Sequence, residues 1–403
     1  MSLSRLAAAI HPSVTLQLNS TATRLKAAGE PIVHLGGGEP TSKAPPAALE
    51  AAQKLLATGE IRYGPEDGIL PLKQAICDYT KTWYHRDITP DNVCVSAGSK
   101  QAVMVCMQSI LDPGDELIIL APYWASYSEM VRVCGAEPII LAPDANLQPS
   151  LDRVKAAVNG RTRGVLLNSP NNPSGVVYNR EFVAELVRFC ESRGLYLMVD
   201  DIYQRLLFDG RKPLSVFEFS TVKQDDTKII VFNGVSKAYA MTGFRIGWGI
   251  ANPTLRKAMG AIQGQQTSGP SALGQAAAIG ALRGPQESVQ ALCDELQTHR
   301  ESLVAGLRAI PNVIVTPPDG AFYCFPDFSA HQRDSVKLAQ FLLEKVKVVT
   351  VPGSAFGLEG HLRISTCGSM KDVIEGAARI RWALDKSGSR EYVSGSVKFT
   401  RDW

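Results

Sequence analysis

The stretch VFNGVSKAYAMTGFRIGWG, residues 231–249, decides the fold. An apolar run that begins at Ile229 and Ile230 reads as a buried strand and gives way to a turn of small residues. The turn presents Lys237, and eight residues further on Arg245 stands between aromatic and glycine neighbours. A lysine at a strand-to-turn junction beside Ser236, Ala238 and Tyr239 is poorly placed to be ordinary surface charge. Held in a partly desolvated pocket it gives up its proton readily, as Schiff-base formation with a carbonyl requires. A lone loop lysine is more often simply solvated, so the reading depends on the rest of the chain.

Working outward, strand-like and helix-like segments alternate. VCVSAGSKQAVMVCMQSIL (93–111) reads as strand, tight turn and helix, with Gly98 and Ser99 in the turn and Lys100 opening the helix. A helix start preceded by small residues offers free N–H groups and a positive dipole end to an anion. The next unit places Tyr123, Trp124 and Tyr127 after the strand 116–120. TRGVLLNSPNNPSGVVY (162–178) is a buried-type strand followed by an Asn171-Asn172-Pro173 turn, and residues 182–193 form an amphipathic helix. GLYLMVDDIYQRLLF (194–208) carries an apolar strand into Asp200, Asp201 and Tyr203. Carboxylates at the end of a buried strand are costly without a partner, so a buried cation is expected beside them. Ligands bind at such strand ends in α/β sheets. The alternation predicts a mostly parallel, helix-covered sheet.

Residues 273–307 read as one long helical connector, followed by the short strands of a smaller α+β unit, including HLRISTC (361–367) with Arg363. A last helix is predicted over 371–385. The tail SGSREYVSGSVKFTRDW reads as loosely ordered and receives no role.

Composition sets the bounds. The chain has 403 residues, 45% hydrophobic and 20% charged, with a formal net charge of +3. That describes a globular protein of two domains with no basic block for nucleic acid or a membrane surface. No apolar run approaches the roughly 18 residues of a membrane span. The eight cysteines are dispersed and mostly in apolar surroundings, which reads as reduced thiols; a cytoplasmic location is expected and no metal site. Residues 1–29 hold Arg5, Arg24 and Lys26 and no acid, a composition shared with mitochondrial transit peptides.

SPNNPSG, the Asp-x-x-Tyr of VDDIY, SKAYAMTGFRIGW and LRIS, in this order and at these separations, resemble the fold-type-I pyridoxal phosphate enzymes. The chain is most similar to the class I aminotransferases of the bacterial-type aspartate aminotransferase branch. The resemblance runs from HPSVTLQL, near residue 11, to the last helix, and so weighs against a transit peptide. It implies a large domain (46–285) with a mostly parallel sheet covered by helices. It also implies a smaller α+β domain (286–390) joined by the N-terminal segment (1–45), then a tail (391–403).

The same resemblance implies residue roles. Lys237 would hold pyridoxal 5′-phosphate covalently and then shuttle a proton. Asp200, preferred over Asp201 because it stands three residues before the tyrosine, would pair with the protonated pyridine nitrogen. Tyr203 and Asn172 would hydrogen-bond the ring oxygen, and Trp124 would stack on the ring. Gly98, Ser99 and Lys100 would cradle the phosphate with help from Arg245. Arg363 would fork onto the substrate α-carboxylate, near Gly38, Trp124 and Asn172. Tyr63 would reach the phosphate of a neighbouring subunit, which implies a homodimer with shared active sites.

The implied activity is transfer of an α-amino group between an L-amino acid and a 2-oxo acid by ping-pong chemistry. The same machinery could serve elimination, decarboxylation or C–C bond formation. A non-catalytic cofactor-binding regulator is the alternative from another class, and the full set of site residues weighs against it. Where many relatives read GEPDFDTP this chain reads GEPTSKAPP, placing Lys43 beside the substrate pocket. His11, Gly269 and Pro270 are further departures, so aspartate as donor does not follow from the resemblance.

Overall fold

The computed structural model describes residues 4–10, 14–395 and 397–403; His11, singled out above, lies outside them. Seven strands form the central sheet: β1 (Val93–Ser96), β2 (Glu116–Leu120), β3 (Glu137–Leu141), β4 (Thr162–Asn168), β5 (Tyr196–Asp200), β6 (Ile229–Gly234) and β7 (Gly247–Ile250). Their spatial order is β1-β7-β6-β5-β4-β2-β3. Neighbours from β6 through β3 run parallel, while β7 is antiparallel to both β6 and β1.

The pleat sends alternate residues of each strand to opposite faces. Val95, Ile118, Val165, Leu197 and Val231 enter one apolar cluster, which also packs against the helices Pro46–Thr58, Leu70–Tyr84 and Arg180–Arg193. Cys94, Leu117, Ile119, Leu166, Met198 and Ile230 enter the other, beneath Ser99–Ile110 and Pro253–Thr267. Helices on both faces explain why these strands read as continuous apolar runs and not as alternation. Each fully buried Leu, Ile or Val contributes on the order of 1.5–3 kcal/mol.

The turn out of β6 is the feature that positions chemistry. β6 ends at Gly234, whose register partner on β7 is Gly247, so residues 235–246 are a closed loop at the carboxyl end of the parallel strands. Lys237 and Arg245 both lie in it.

A third cluster gathers Val33 and Leu35 with Leu303, Leu307, Leu342 and Ile380, drawn from the helices Glu287–Arg308, Ser335–Val346 and Met370–Leu384, and with Ile364 of the strand Leu362–Ser365. The strand Val33–His34 joins it by parallel pairing with Val348–Val349.

Two expectations need correction. The predicted long connector is two helices, Ala272–Arg283 and Glu287–Arg308, interrupted at Gly284-Pro285. Proline there has no N–H for the ladder, and a Cβ on Gly284 would come within 2.7 Å of the Ala47 methyl. The tail is also ordered, as a hairpin of Glu391–Ser394 with Val397–Thr400. Tyr392 and Phe399 lie against Trp382 at 5.7 and 6.4 Å between ring centroids. Arg401 is buried, donating to the carbonyls of Trp382 and Asp385, with Asp402 paired to Lys345 at 2.9 Å. Polar composition masked a cation that caps the last helix and three aromatics that cover its side.

Among the described residues no helix is long and apolar enough to cross a membrane, and all eight cysteines are free.

Candidate active site

The carboxyl ends of β4, β5 and β6 open into a cleft of about 310 Å³ shared with Gly38, Tyr323 and Arg363. Lys237 projects into it from the β6–β7 loop. Its Nζ donates to the Gly38 carbonyl at 2.6 Å and stands 5.7 Å from the centroid of the Phe322 ring. Loss of hydration lowers the amine's pKa to about 8, and the guanidinium groups of Arg363 and Arg245 push the same way. A substantial fraction is therefore neutral near physiological pH, the form that attacks a carbonyl carbon.

Asp200 and Asp201 occupy different environments although both are buried. Asp200 ends β5 in the cleft, where it accepts from the Tyr127 hydroxyl at 2.7 Å and from the Ile202 amide at 3.3 Å. Behind it, Asn168 donates to the Asp200 carbonyl at 2.7 Å and accepts from the Asn172 amide at 2.9 Å. Asp201 faces away, against the Tyr84 hydroxyl, with Oδ2 lacking a partner. The cation expected beside the pair is not in direct contact: Lys237 across the cleft acts on Asp200 only at longer range. Neither carboxylate forms an ion pair among the described residues, and burial raises the pKa of both. A buried carboxylate aimed into a cleft, with Lys237 acting on it only at a distance and no ion pair of its own among the described residues, is suited to a positively charged ligand.

Asp201 carries a separate consequence. Burial favours its uncharged form in the fold, so its contribution to stability is fully present below the ordinary carboxylate pKa and is lost as pH rises toward the higher folded value. Asp201→Asn is therefore expected to melt higher than the wild type in alkali, with the gap closing as pH falls to about 4. The loss it avoids is roughly 1.4 kcal/mol per pH unit in that window. Melting curves at a series of pH values check this, and a pH-independent gap would exclude it.

The anion cradle is built by close approach. Gly98 caps the helix Ser99–Ile110 at φ 88°, a backbone region that favours glycine. A Cβ on Gly98 would lie 2.6 Å from Arg245 Nη2, and one on Gly247 would overlap the Ser99 amide nitrogen. Arg245, itself left-handed at φ 55°, is fixed by donation to the carbonyls of Thr242 at 2.9 Å and Ala97 at 3.3 Å. The Lys100 ammonium lies against the aromatic wall of the cleft, still within reach of the Arg245 charge. It stands 5.1 Å from the Trp124 ring centroid, which in turn meets Tyr127 edge-on.

On the far wall Arg363 is 2% exposed and forms no ion pair among the described residues. Nη1 donates to Asn172 Oδ1 at 3.1 Å and Nη2 to the Gly36 carbonyl at 3.0 Å, while Nε has no partner. The Tyr203 hydroxyl meets that of Tyr323 at 3.2 Å.

The structure thus brings together Gly38, Ser99, Lys100, Trp124, Asn172, Asp200, Tyr203, Lys237, Arg245 and Arg363 around one cleft, with Gly98 behind it. Tyr63 is not brought in; it is 94% exposed. Tyr127, Ser236, Thr242 and Tyr323 also line the cleft, and the sequence reading gives none of them a role in the site. Ser236, one residue before the lysine, was the one with a local signal.

A buried amine of lowered pKa, an anion cradle and an unpaired buried guanidinium around one cleft define an enzyme that handles amino acids through an anionic carbonyl cofactor. Comparison with known proteins gives the family. The sequence model of aminotransferase class I and II matches residues 30–380. A probable aspartate/prephenate aminotransferase of Aquifex aeolicus is 36% identical over 386 residues, covering 94% of this chain and 97% of the relative. The aspartate aminotransferase of Bacillus subtilis is 34% identical over 393 residues, covering 96% and 100%. Among solved structures, an aspartate aminotransferase of Thermus thermophilus with maleate superposes with a TM-score of 0.90 at 35% identity, covering 95% of this chain and 100% of that one. The chain belongs to the class I and II aminotransferases. It is a pyridoxal-phosphate-dependent enzyme of fold type I that transfers amino groups.

The residues present fit that cofactor. Four basic side chains line the cleft (Lys100, Lys237, Arg245 and Arg363) against two carboxylates, Glu39 and Asp200. The excess of positive charge suits a phosphate and a substrate carboxylate, and the isolated Asp200 suits a protonated ring nitrogen. Among the described residues no cluster of His, Cys, Asp or Glu could hold a metal ion.

Proposed function

We propose that the enzyme takes its amino group from a dicarboxylic L-amino acid, aspartate foremost, and passes it to a 2-oxo acid. The observation that carries this reading is that two cleft cations beyond Lys237 and the phosphate-side Arg245, namely Arg363 and Lys100, form no ion pair among the described residues. Arg363 is suited to one carboxylate, and Lys100, standing over Trp124, to a second. Relatives that are aspartate aminotransferases agree with an acidic donor.

Bound pyridoxal phosphate supplies an electron sink for the charge left when the substrate loses its α-proton. In this reading Lys237 holds the cofactor and, once released, carries a proton to and from the substrate carbon. The Gly38 carbonyl keeps its amine on the cleft side of the loop. Asp200, fixed by Tyr127, keeps the ring nitrogen protonated. Ser99 and the amides after Gly98, with Arg245 and Ser236, hold the phosphate; Trp124 covers the ring; Tyr203 and Asn172 bind its oxygen. Arg363 orients the α-carboxylate and Gly38 closes over it. Lys100 thus serves the substrate's distal end through its side chain and the cradle only through its backbone.

Homodimer assembly belongs to the same reading. Tyr63 is exposed, as are the apolar side chains of Leu49, Leu56, Ile61 and Leu70 in the same part of the chain, which suits contact with a second copy. So does the division into units 46–285 and 286–390, the latter joined by residues 1–45; it is supported by the separate core around Leu303 and Ile364. A cytoplasmic location agrees with eight free cysteines.

The test is the visible spectrum of the purified holoenzyme on addition of one amino acid at a time, with no oxo-acid acceptor. Aspartate is expected to bleach the band most readily, with one equivalent of its oxo acid released. A band that responds to monocarboxylic amino acids and not to aspartate would overturn the acidic-donor reading.

A further inference from the structure

One phenol in the cleft has no role in the reading above. Tyr323 lies on the short strand Tyr323–Cys324, which pairs antiparallel with Leu362–Ser365 so that Tyr323 stands opposite Ser365, two residues from Arg363. The Arg363 guanidinium carbon lies 4.5 Å from the centroid of the Tyr323 ring. The Tyr323 hydroxyl is 3.2 Å from that of Tyr203, with the two rings edge-on at 5.9 Å. Gly38 borders the same hydroxyl, since a Cβ there would come within 3.6 Å of it. Both phenols are buried. Tyr323 therefore touches the proposed carboxylate arginine with its ring face and the proposed cofactor tyrosine with its hydroxyl.

Two phenols at this separation share one hydrogen between them. When Tyr203 turns its own hydrogen to a ligand oxygen, its lone pairs remain to accept, and Tyr323 is the donor in place. A phenol that accepts a hydrogen bond becomes a stronger donor in turn, so the two bonds reinforce each other. The ring of Tyr323 also feels the Arg363 charge, which favours the polarised O–H. A carboxylate arriving at Arg363 offsets that charge and weakens the donation down the line.

We propose that Tyr323 is a positioning residue that couples carboxylate binding at Arg363 to the proton affinity of the cofactor linkage at Lys237, acting through the Tyr203 hydroxyl. The coupling rests on the roles proposed above for Tyr203 and Arg363. Removing the Tyr323 hydroxyl weakens the bond that Tyr203 donates, leaves more negative charge on the oxygen it faces, and makes the proton at the Lys237 nitrogen harder to remove.

The experiment is a pH titration of the holoenzyme's visible spectrum for wild type, Tyr323→Phe, Tyr203→Phe and the double variant, each with and without maleate as a non-reactive dicarboxylate. Tyr323→Phe is expected to hold the proton about three- to ten-fold more tightly, a pKa raised by roughly half to one unit, and to lose at least about half of the displacement that maleate causes in the wild type. In the Tyr203→Phe background the second substitution is expected to add nothing, as for two groups acting in series. A wild-type titration and maleate response in Tyr323→Phe, beside a displaced Tyr203→Phe, would overturn the coupling alone. A wild-type titration in Tyr203→Phe would overturn the coupling together with the role given to Tyr203. A purely packing role for Tyr323 would leave the spectral titration where it was.

Discussion

Lys237→Ala is expected to cut amino transfer by at least about 10⁴-fold while leaving the fold intact. The side chain has two tasks in the proposed reading, as covalent anchor and as proton carrier, and positioned proton transfer alone is worth roughly 10²–10⁴. Its loss removes a buried amine that donates to a single backbone carbonyl, that of Gly38, so little stability is at stake. The phosphate cradle remains, and the variant should still take up the cofactor. After hydride reduction, however, its intact mass should carry no cofactor increment, whereas the wild type's should. Activity within about 100-fold of wild type would show that another group moves the proton. The wild-type apoprotein offers a companion measurement. Because burial brings the amine's pKa to about 8, the rate of covalent reconstitution should climb with pH up to about that value and then level off. A rate still rising well beyond it would mean that the amine is solvated like an ordinary lysine.

The second large effect concerns Arg363, where activity and stability are expected to move in opposite directions. Two charge-assisted hydrogen bonds to a carboxylate are worth about 1.5–3 kcal/mol each, so Arg363→Met should lower kcat/KM by roughly 10²–10⁴ and weaken maleate binding comparably. The same guanidinium is 2% exposed with no acid beside it and Nε without a partner. Its burial in the ligand-free protein is costly, and replacement by an apolar side chain of similar volume is expected to stabilise by roughly 1–3 kcal/mol. Against this stands the loss of two acceptors' partners, Asn172 Oδ1 and the Gly36 carbonyl, which sets the gain toward the lower end. Thermal melting of the cofactor-loaded variant without substrate, beside its steady-state kinetics, tests both halves. A variant that melts lower and keeps its affinity for maleate would mean that Arg363 is a structural cation.

Much of this site was legible because its parts obey local rules. The apolar strand that stops at Asp200, the Gly98 turn before a helix and the small-residue turn around Lys237 each carry their signal within a few residues. What stayed hidden depends on distance. The partner of Asp200 is Tyr127, 73 positions away, and the partner of Tyr203 is Tyr323, 120 away; no periodicity connects them. The buried cation expected beside Asp200 illustrates the limit of the rule behind it. The chain meets the need for compensation with a phenol, an amide and the distant charge of Lys237, and leaves a direct ion pair to the ligand. The terminal hairpin failed for the opposite reason, since its polar composition outweighed the spacing of Tyr392, Phe399 and Trp403. The break at Gly284-Pro285 was visible in the letters and was overridden by the helix-forming residues on either side.

The glycines behind the anion cradle also constrain how such an enzyme can diverge. With Gly98 against Arg245 and Gly247 against Ser99, any side chain at either position collides before it can offer anything new. The wall around Gly98 and Gly247 is thereby closed to stepwise mutation. Heritable change of substrate is therefore channelled to the rim, to Lys100, Ser126 and Thr242, where a single replacement can alter which amino acid is accepted without disturbing the machinery that processes it.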